Sequence, residues 1–192
     1  MTASEGKREG VHVMSALVEN EFGVLARIAS LFAARGFNID SLTVGPTHDE
    51  SISRMTILVK GSATVIEQVK KQLNKLIEVV TVQDLTETGS HITRELMLVK
   101  VQCTAKNRLE IMQIGELFKA KALDYTPGSI TFELVGSCEK LDNFITFTQP
   151  FGIAELARSG AVGMNRGAGG LQSQFVKKTT RIDDAKDDAE IG

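Results

Sequence analysis

Two hydrophobic periods alternate along this chain, and the same alternation runs through it twice. VHVMSALVE (11–19) is apolar on both faces of an extended strand, with Val11, Val13 and Leu17 on one side and Met14, Ala16 and Val18 on the other. Such a run fits a central strand covered on both sides. Leu25, Ile28, Ala29 and Phe32 then recur at helical spacing, and Gly36 stands where a helix C-terminus wants glycine. FNIDSLTVG (37–45) and SRMTILVKG (53–61) read as two further strands. Ser62 can cap a helix carrying Val65, Ile66, Val69, Leu73 and Leu76, and IEVVTVQDL (77–85) reads as the fourth strand. After the turn-rich link TETGSH (86–91), the pattern repeats. RELMLVKVQC (94–103) is a strand, followed by a helix with Asn107 and Glu110 as an expected capping pair. ALDYT (122–126) and SITFELVG (129–136) flank a Pro127-Gly128 turn. A helix follows Ser137, and GIAELARSG (152–160) closes the unit.

The order βαββαβ, twice, predicts an α+β chain of two tandem ferredoxin-like domains, residues 11–86 and 91–165, followed by a flexible tail over 166–192. Each sheet would carry two helices on one face. Met14, Ala16, Val18, Thr56 and Leu58 are expected on the other face or at the sheet edge, a surface that self-association or sheet-on-helix docking would cover.

Composition narrows the function. The chain has 192 residues, with 22 Lys and Arg against 24 Asp and Glu, so no basic face nominates a nucleic acid. Two cysteines, Cys103 and Cys138, make no disulfide framework, and the polar N-terminus has no signal-like core; the expected compartment is the cytosol. No apolar run is long enough to span a membrane. His12, His48 and His91 lack metal-ligand spacing, and no nucleophile, metal-ligand or phosphate-loop motif is present. RGAGG (166–170) has no helix pattern after it and reads as tail.

The first strand–helix junction, ENEFGVLARI (19–28), is the most informative segment. Free amides at a helix start attract a carboxylate or phosphate, and Gly23 leaves room for close approach. Asn38, expected to open the second strand beside that junction, can donate and accept. The same residues also read as a cap, a tight turn and a turn residue. Glu19 and Glu21 flank the junction without a neighbouring cation, which disfavours a polyanion and suits a zwitterion. Val24 and Leu25 suit a small apolar side chain.

ALVENEFGVLARIASLFAARGFNIDSLTVGPT with SRMTILVKG closely resembles the ACT domain of the regulatory small subunit of acetolactate synthase. TRELMLVKV (93–101) and ARSGAVGMNRG (157–167) resemble blocks of the same family. The resemblance implies a non-catalytic protein that activates a large catalytic subunit and confers feedback inhibition by a branched-chain amino acid, typically valine. It implies a homodimer through ACT domains, with the effector at the interface. Matched residue by residue, the effector contacts fall on Asn20, Gly23, Val24, Leu25, Asn38 and Ile39. No cofactor is implied for this chain; thiamine diphosphate, FAD and Mg are implied for the catalytic partner. Phe22, Ala26 and Gly45 stand where some members carry Ser, Ser and Ala. The ten-residue N-terminal extension and the charged tail lie outside the family pattern.

Three other readings stand beside this one. A stand-alone tandem-ACT sensor or co-regulator would bring down no large subunit in a co-purification. An acyl-phosphate hydrolase shares the element order, but it needs a cation in the first loop, where ENEFG offers acids. RNA binding needs aromatics on the central strands, which are missing. The second junction, TAKNRLE (104–110), lacks the glycine, so no equivalent effector site is expected there; dimer or catalytic-subunit contact is expected instead.

Overall fold

Met14, Ala16 and Val18 decide which way the first sheet faces. In the computed structural model, which describes residues 10–87 and 89–171, they pair across the ladder with Ile57, Met55 and Ser53. The first two of these pairs are apolar, and Cross-strand neighbours share a face, so Met14, Ala16 and Val18 join Met55, Ile57 and Val59 under the helices. This reverses the sequence expectation for Met14, Ala16 and Val18. A strand apolar on both alternations carries no phase, and a one-residue error moves its whole set to the other face.

The chain divides into two compact units. The first holds residues up to Ile92 together with those from Gly163 onward. Its strands are β1 (Gly10–Glu19), β2 (Ser41–Pro46), β3 (Ile52–Gly61) and β4 (Val79–Asp84), in the antiparallel order β2-β3-β1-β4. Helices α1 (Val24–Ala34) and α2 (Ala63–Leu73) set Val24, Ile28 and Phe32, with Ile66, Val69 and Leu73, onto the Met14 face. Each such side chain, fully buried, contributes about 1.5–3 kcal/mol. Ser62 caps α2 by accepting the Val65 N–H, as its place in the sequence predicts.

The opposite face carries Val13, Ser15, Leu17, Thr56 and Leu58, all buried. It is covered in part by the chain itself. The Gly163 N–H donates to Thr56 Oγ1 (3.3 Å), Asn165 donates to Gln83 Oε1 (2.7 Å), and Leu171 is buried against Leu17 and Ile52. Within the segment expected to be tail, residues 166–170 are exposed, but the Arg166 N–H donates to Ser90 O (3.0 Å) and Leu171 returns to the first unit. The rest of that expected tail, 172–192, lies outside the described residues, as do residues 1–9 of the N-terminal extension.

The second unit is Thr93–Val162. The strands β5 (His91–Gln102), β6 (Lys121–Tyr125), β7 (Ser129–Gly136) and β8 (Ile153–Arg158) take the antiparallel order β6-β7-β5-β8. Helices α3 (Arg108–Leu117) and α4 (Cys138–Thr148) bury Ile111, Leu141 and Phe144 against Val99 and Phe132. A single 3-10 turn (Gln149–Phe151) and a short strand β9 (Val162–Asn165) complete the elements. Ser137 caps α4 through the Lys140 N–H. The expected Asn107–Glu110 capping pair does not form: α3 has no side-chain cap bond, and Asn107 Oδ1 instead accepts from the Thr104 N–H at 2.6 Å. No helix among the described residues is long and apolar enough to cross a membrane.

Candidate functional site

At the end of β1, Asn20 ties the junction to the β2–β3 hairpin by three hydrogen bonds. Its N–H donates to Ser51 O (2.7 Å), its Nδ2 donates to Glu50 O (2.9 Å), and its Oδ1 accepts from Ser53 Oγ (3.0 Å). The preceding Glu19 N–H donates to Glu78 O at 2.9 Å. The junction is thus pinned to the β2–β3 hairpin on one side and to the start of β4 on the other. Asn20 is a positioning residue for the loop, a role the sequence left open.

Gly23 is the N-cap of α1, at φ 86°, ψ −8°. That conformation is natural for glycine and strained for most other residues. No side chain caps this helix, and no acid stands in its first turn. Its first intrahelical bond comes from the Arg27 N–H to Gly23 O at 3.0 Å, so the amides of Val24, Leu25 and Ala26 precede the ladder. These amides point their partial positive charge outward. Nothing lies within 4 Å of where a Gly23 Cβ would stand. Val24 is buried in the core, and Leu25 is about half exposed. Helices α2 and α4 are capped by serine, whereas α1, like α3, has no side-chain cap; α1 alone of these two starts on a glycine at positive φ.

Asn38 and Ile39 are placed by the other end of α1. The Phe37 N–H donates to Phe32 O (3.0 Å) and the Gly36 N–H to Ala33 O (3.2 Å), with Gly36 at φ 68°. This is a Schellman close, and the Phe32 and Phe37 rings meet edge-on with centroids 6.1 Å apart. Asn38 and Ile39 therefore precede β2, which starts at Ser41, instead of opening it. Asn38 Nδ2 donates to Asp40 Oδ1 at 3.2 Å.

The two halves of the expected site are not adjacent within the chain. Ser41 and Val13 both pair with Leu58, at the start of β1, whereas Glu19 pairs with Ile52 at its end. Six residues of strand, about 20 Å, separate those levels. Asn20, Gly23, Val24 and Leu25 lie at one end of the sheet, and Asn38 and Ile39 at the other. The expectation that Asn38 sits beside the junction is corrected: a helix returning along the sheet starts at one end and finishes at the other.

Acids dominate the junction's end of the sheet. Glu19, Glu21, Asp49 and Glu50 gather there, and the nearby Arg27 is paired with the buried Glu78. The Ser51 hydroxyl and N–H both donate to Asp49, holding its carboxyl below the usual range and keeping it ionised. Among the described residues no cluster of His, Cys, Asp and Glu could hold a metal ion.

The matching junction of the second unit is closed. Arg108 Nη2 donates to the carbonyls of Thr126 and Pro127, each at 2.8 Å, and Thr104 holds Asn107 Oδ1. Cys103 is buried beside that guanidinium. Elsewhere in this unit, Arg158 donates to both oxygens of Glu95 (2.9 and 2.6 Å) and to Asp142 (2.6 Å). Cys138 donates to Glu95 at 3.4 Å, and burial, reinforced by Glu95, pushes its thiol up, which makes it a poor nucleophile. His12 Nδ1 lies 2.7 Å from the buried Asp84, an interior structural pair.

A model described as the small subunit of acetolactate synthase matches residues 94–167, and one described as the AHAS small subunit-like ACT domain matches 14–81. A probable acetolactate synthase small subunit of Methanothermobacter thermautotrophicus is 46% identical over 158 residues, 82% of this chain and 94% of that protein. The acetolactate synthase isozyme 3 small subunit of Escherichia coli is 46% identical over 156 residues, covering 81% of this chain and 95% of that one. The crystal structure of the acetolactate synthase small subunit from Thermotoga maritima superimposes with a TM-score of 0.76 at 38% identity, covering 83% of this chain and 99% of that one.

Proposed function

Since the chain belongs to the family of acetolactate synthase small subunits, we propose that it activates a large catalytic subunit and makes it sensitive to valine. Thiamine diphosphate chemistry belongs to that partner; this chain supplies binding and conformation. The observation that carries the proposal is the division of the effector residues between the two ends of one sheet. A second copy packed antiparallel along the edge strand β2 brings the Asn38 and Ile39 of one protomer to the Gly23 loop of the other. The edge is suited to this, since among the described residues β2 pairs only with β3 and Val44 is exposed on it.

In that dimer the valine carboxylate takes the open amides of Gly23–Leu25, the alkyl group lies toward Leu25 and Ile39, and Asn38 of the second copy orients the zwitterion. Asn20 holds the loop in shape. Valine regulates only by favouring one conformation of the dimer, and the catalytic subunit must then alter valine affinity reciprocally, with a coupling of about 1–3 kcal/mol. Calorimetry with valine, leucine and isoleucine tests this on a chain whose dimeric mass is checked by sedimentation. A folded dimer that binds none of the three would refute effector sensing at this site. Reconstitution with the large subunit, with and without valine, tests activation separately.

A further inference from the structure

We propose that Arg27 and Glu78 are a positioning pair of the effector site: Glu78 brackets the loop, and Arg27 cancels its buried charge so that a ligand carboxylate is admitted beside it. The inference rests on the effector reading above and adds two residues outside its contact set.

Glu78 reaches both ends of the junction. Its carbonyl accepts the Glu19 N–H at 2.9 Å, where β1 finishes, and its carboxylate pairs with Arg27 at the close of the first turn of α1. The Arg27 N–H donates in turn to Gly23 O (3.0 Å). The residue just ahead of β4 thus holds the strand end by its backbone and the helix start by its side chain, with residues 20–26 strung between.

Burial gives this pair more weight than its charged neighbours. The Glu78 side chain is 7% exposed and that of Arg27 61%. Glu21, His48, Asp49, Glu50 and Lys75 at the same end of the sheet are exposed and Glu19 is half-buried, so water and salt screen them more. A carboxylate as buried as Glu78 needs a partner and is screened little. Helix α1 has no acid in its first turn, so its field draws an anion from elsewhere. Left bare, Glu78 would be that anion and would repel a second carboxylate from the Gly23–Leu25 amides. Neutralised by Arg27, it leaves the helix field to the ligand.

The test is calorimetry with valine on the full chain. Arg27→Gln bares Glu78 and is expected to weaken valine binding about 3- to 10-fold, the effect of one unit charge at roughly 10 Å in a partly screened site. Glu78→Gln keeps the backbone bond and an acceptor for Arg27 while removing the charge, and is expected to tighten valine binding about 2-fold or more. The double variant should return to within about 2-fold of wild type, because the charge difference cancels. Arg27→Lys should keep most of the wild-type affinity. A pair that merely holds the fold would weaken valine binding in both single variants; that result, or no change in either, overturns the proposal. Sedimentation and circular dichroism check that each variant is a folded dimer. If Arg27→Gln does not fold, the sign of the Glu78→Gln effect decides alone. A wild-type chain that binds no branched-chain amino acid overturns the effector reading, and this inference with it.

Discussion

Gly23 is the residue where conformation and chemistry coincide. Its positive φ is tolerated by Asp better than by most residues, and the space around its Cβ position is open. Gly23→Asp should therefore fold, yet place a carboxylate where the ligand's would lie. The expected outcome is at least a 10-fold loss of valine affinity in calorimetry, with the fold kept and the melting temperature lowered modestly by the strain at positive φ; unchanged inhibition by valine would refute the placement. Arg158 makes a different single-residue argument. Its two bonds to Glu95, followed by the Cys138 bond, hold that carboxyl below its ordinary value despite burial, and Glu95 in turn holds the guanidinium protonated. A depressed carboxyl contributes stability above its ordinary pKa, and this is lost as pH falls through the depressed one. Arg158→Gln should destabilise the chain by about 2 kcal/mol at pH 7, since it strands a buried carboxylate. Urea melts at pH 7 and pH 3 check this: the difference between variant and wild type should shrink in acid.

At the scale of elements, Gly115 shows how tightly the second core is closed. A Cβ there would stand 2.6 Å from Phe132 Cε1, inside the core ring contact of Phe132 with Phe144. Gly115→Val is expected to lower stability by about 1–3 kcal/mol, measured by thermal or urea unfolding. The kinds and order of the elements were legible because helical and strand periods differ sharply, as in the Ile28–Phe32 and Met55–Val59 runs. The serine cap of α2 was legible too, since a hydroxyl before an apolar-periodic run has few other uses. The facing of β1 was not, because Val13 and Leu17 are as apolar as Met14 and Val18. Nor was the separation of Asn38 from Gly23, which depends on the length and direction of α1 and on strand register. The identities of the junction residues were readable from the chain; the distance between them required the fold.

For the molecule as a whole, the segment after Gly163 matters more than its composition suggests. Glycine and polar residues from Arg166 hide one large apolar side chain, Leu171, whose contacts with Leu17 and Ile52 are remote in sequence. Leu171→Ala should destabilise the first unit by about 2–3 kcal/mol, seen as a lower melting temperature, while leaving the second unit's hydrogen-exchange protection unchanged. This return also makes Thr93–Val162 an insertion within the first unit. On a ribosome, the sheet face carrying Val13, Leu17 and Thr56 waits uncovered while those 70 residues are made, roughly 4–14 seconds at ordinary elongation rates. The N-terminal unit is thus first to emerge and last to be sealed, and its synthesis has a built-in interval in which that face is open to chaperones or to a nascent partner.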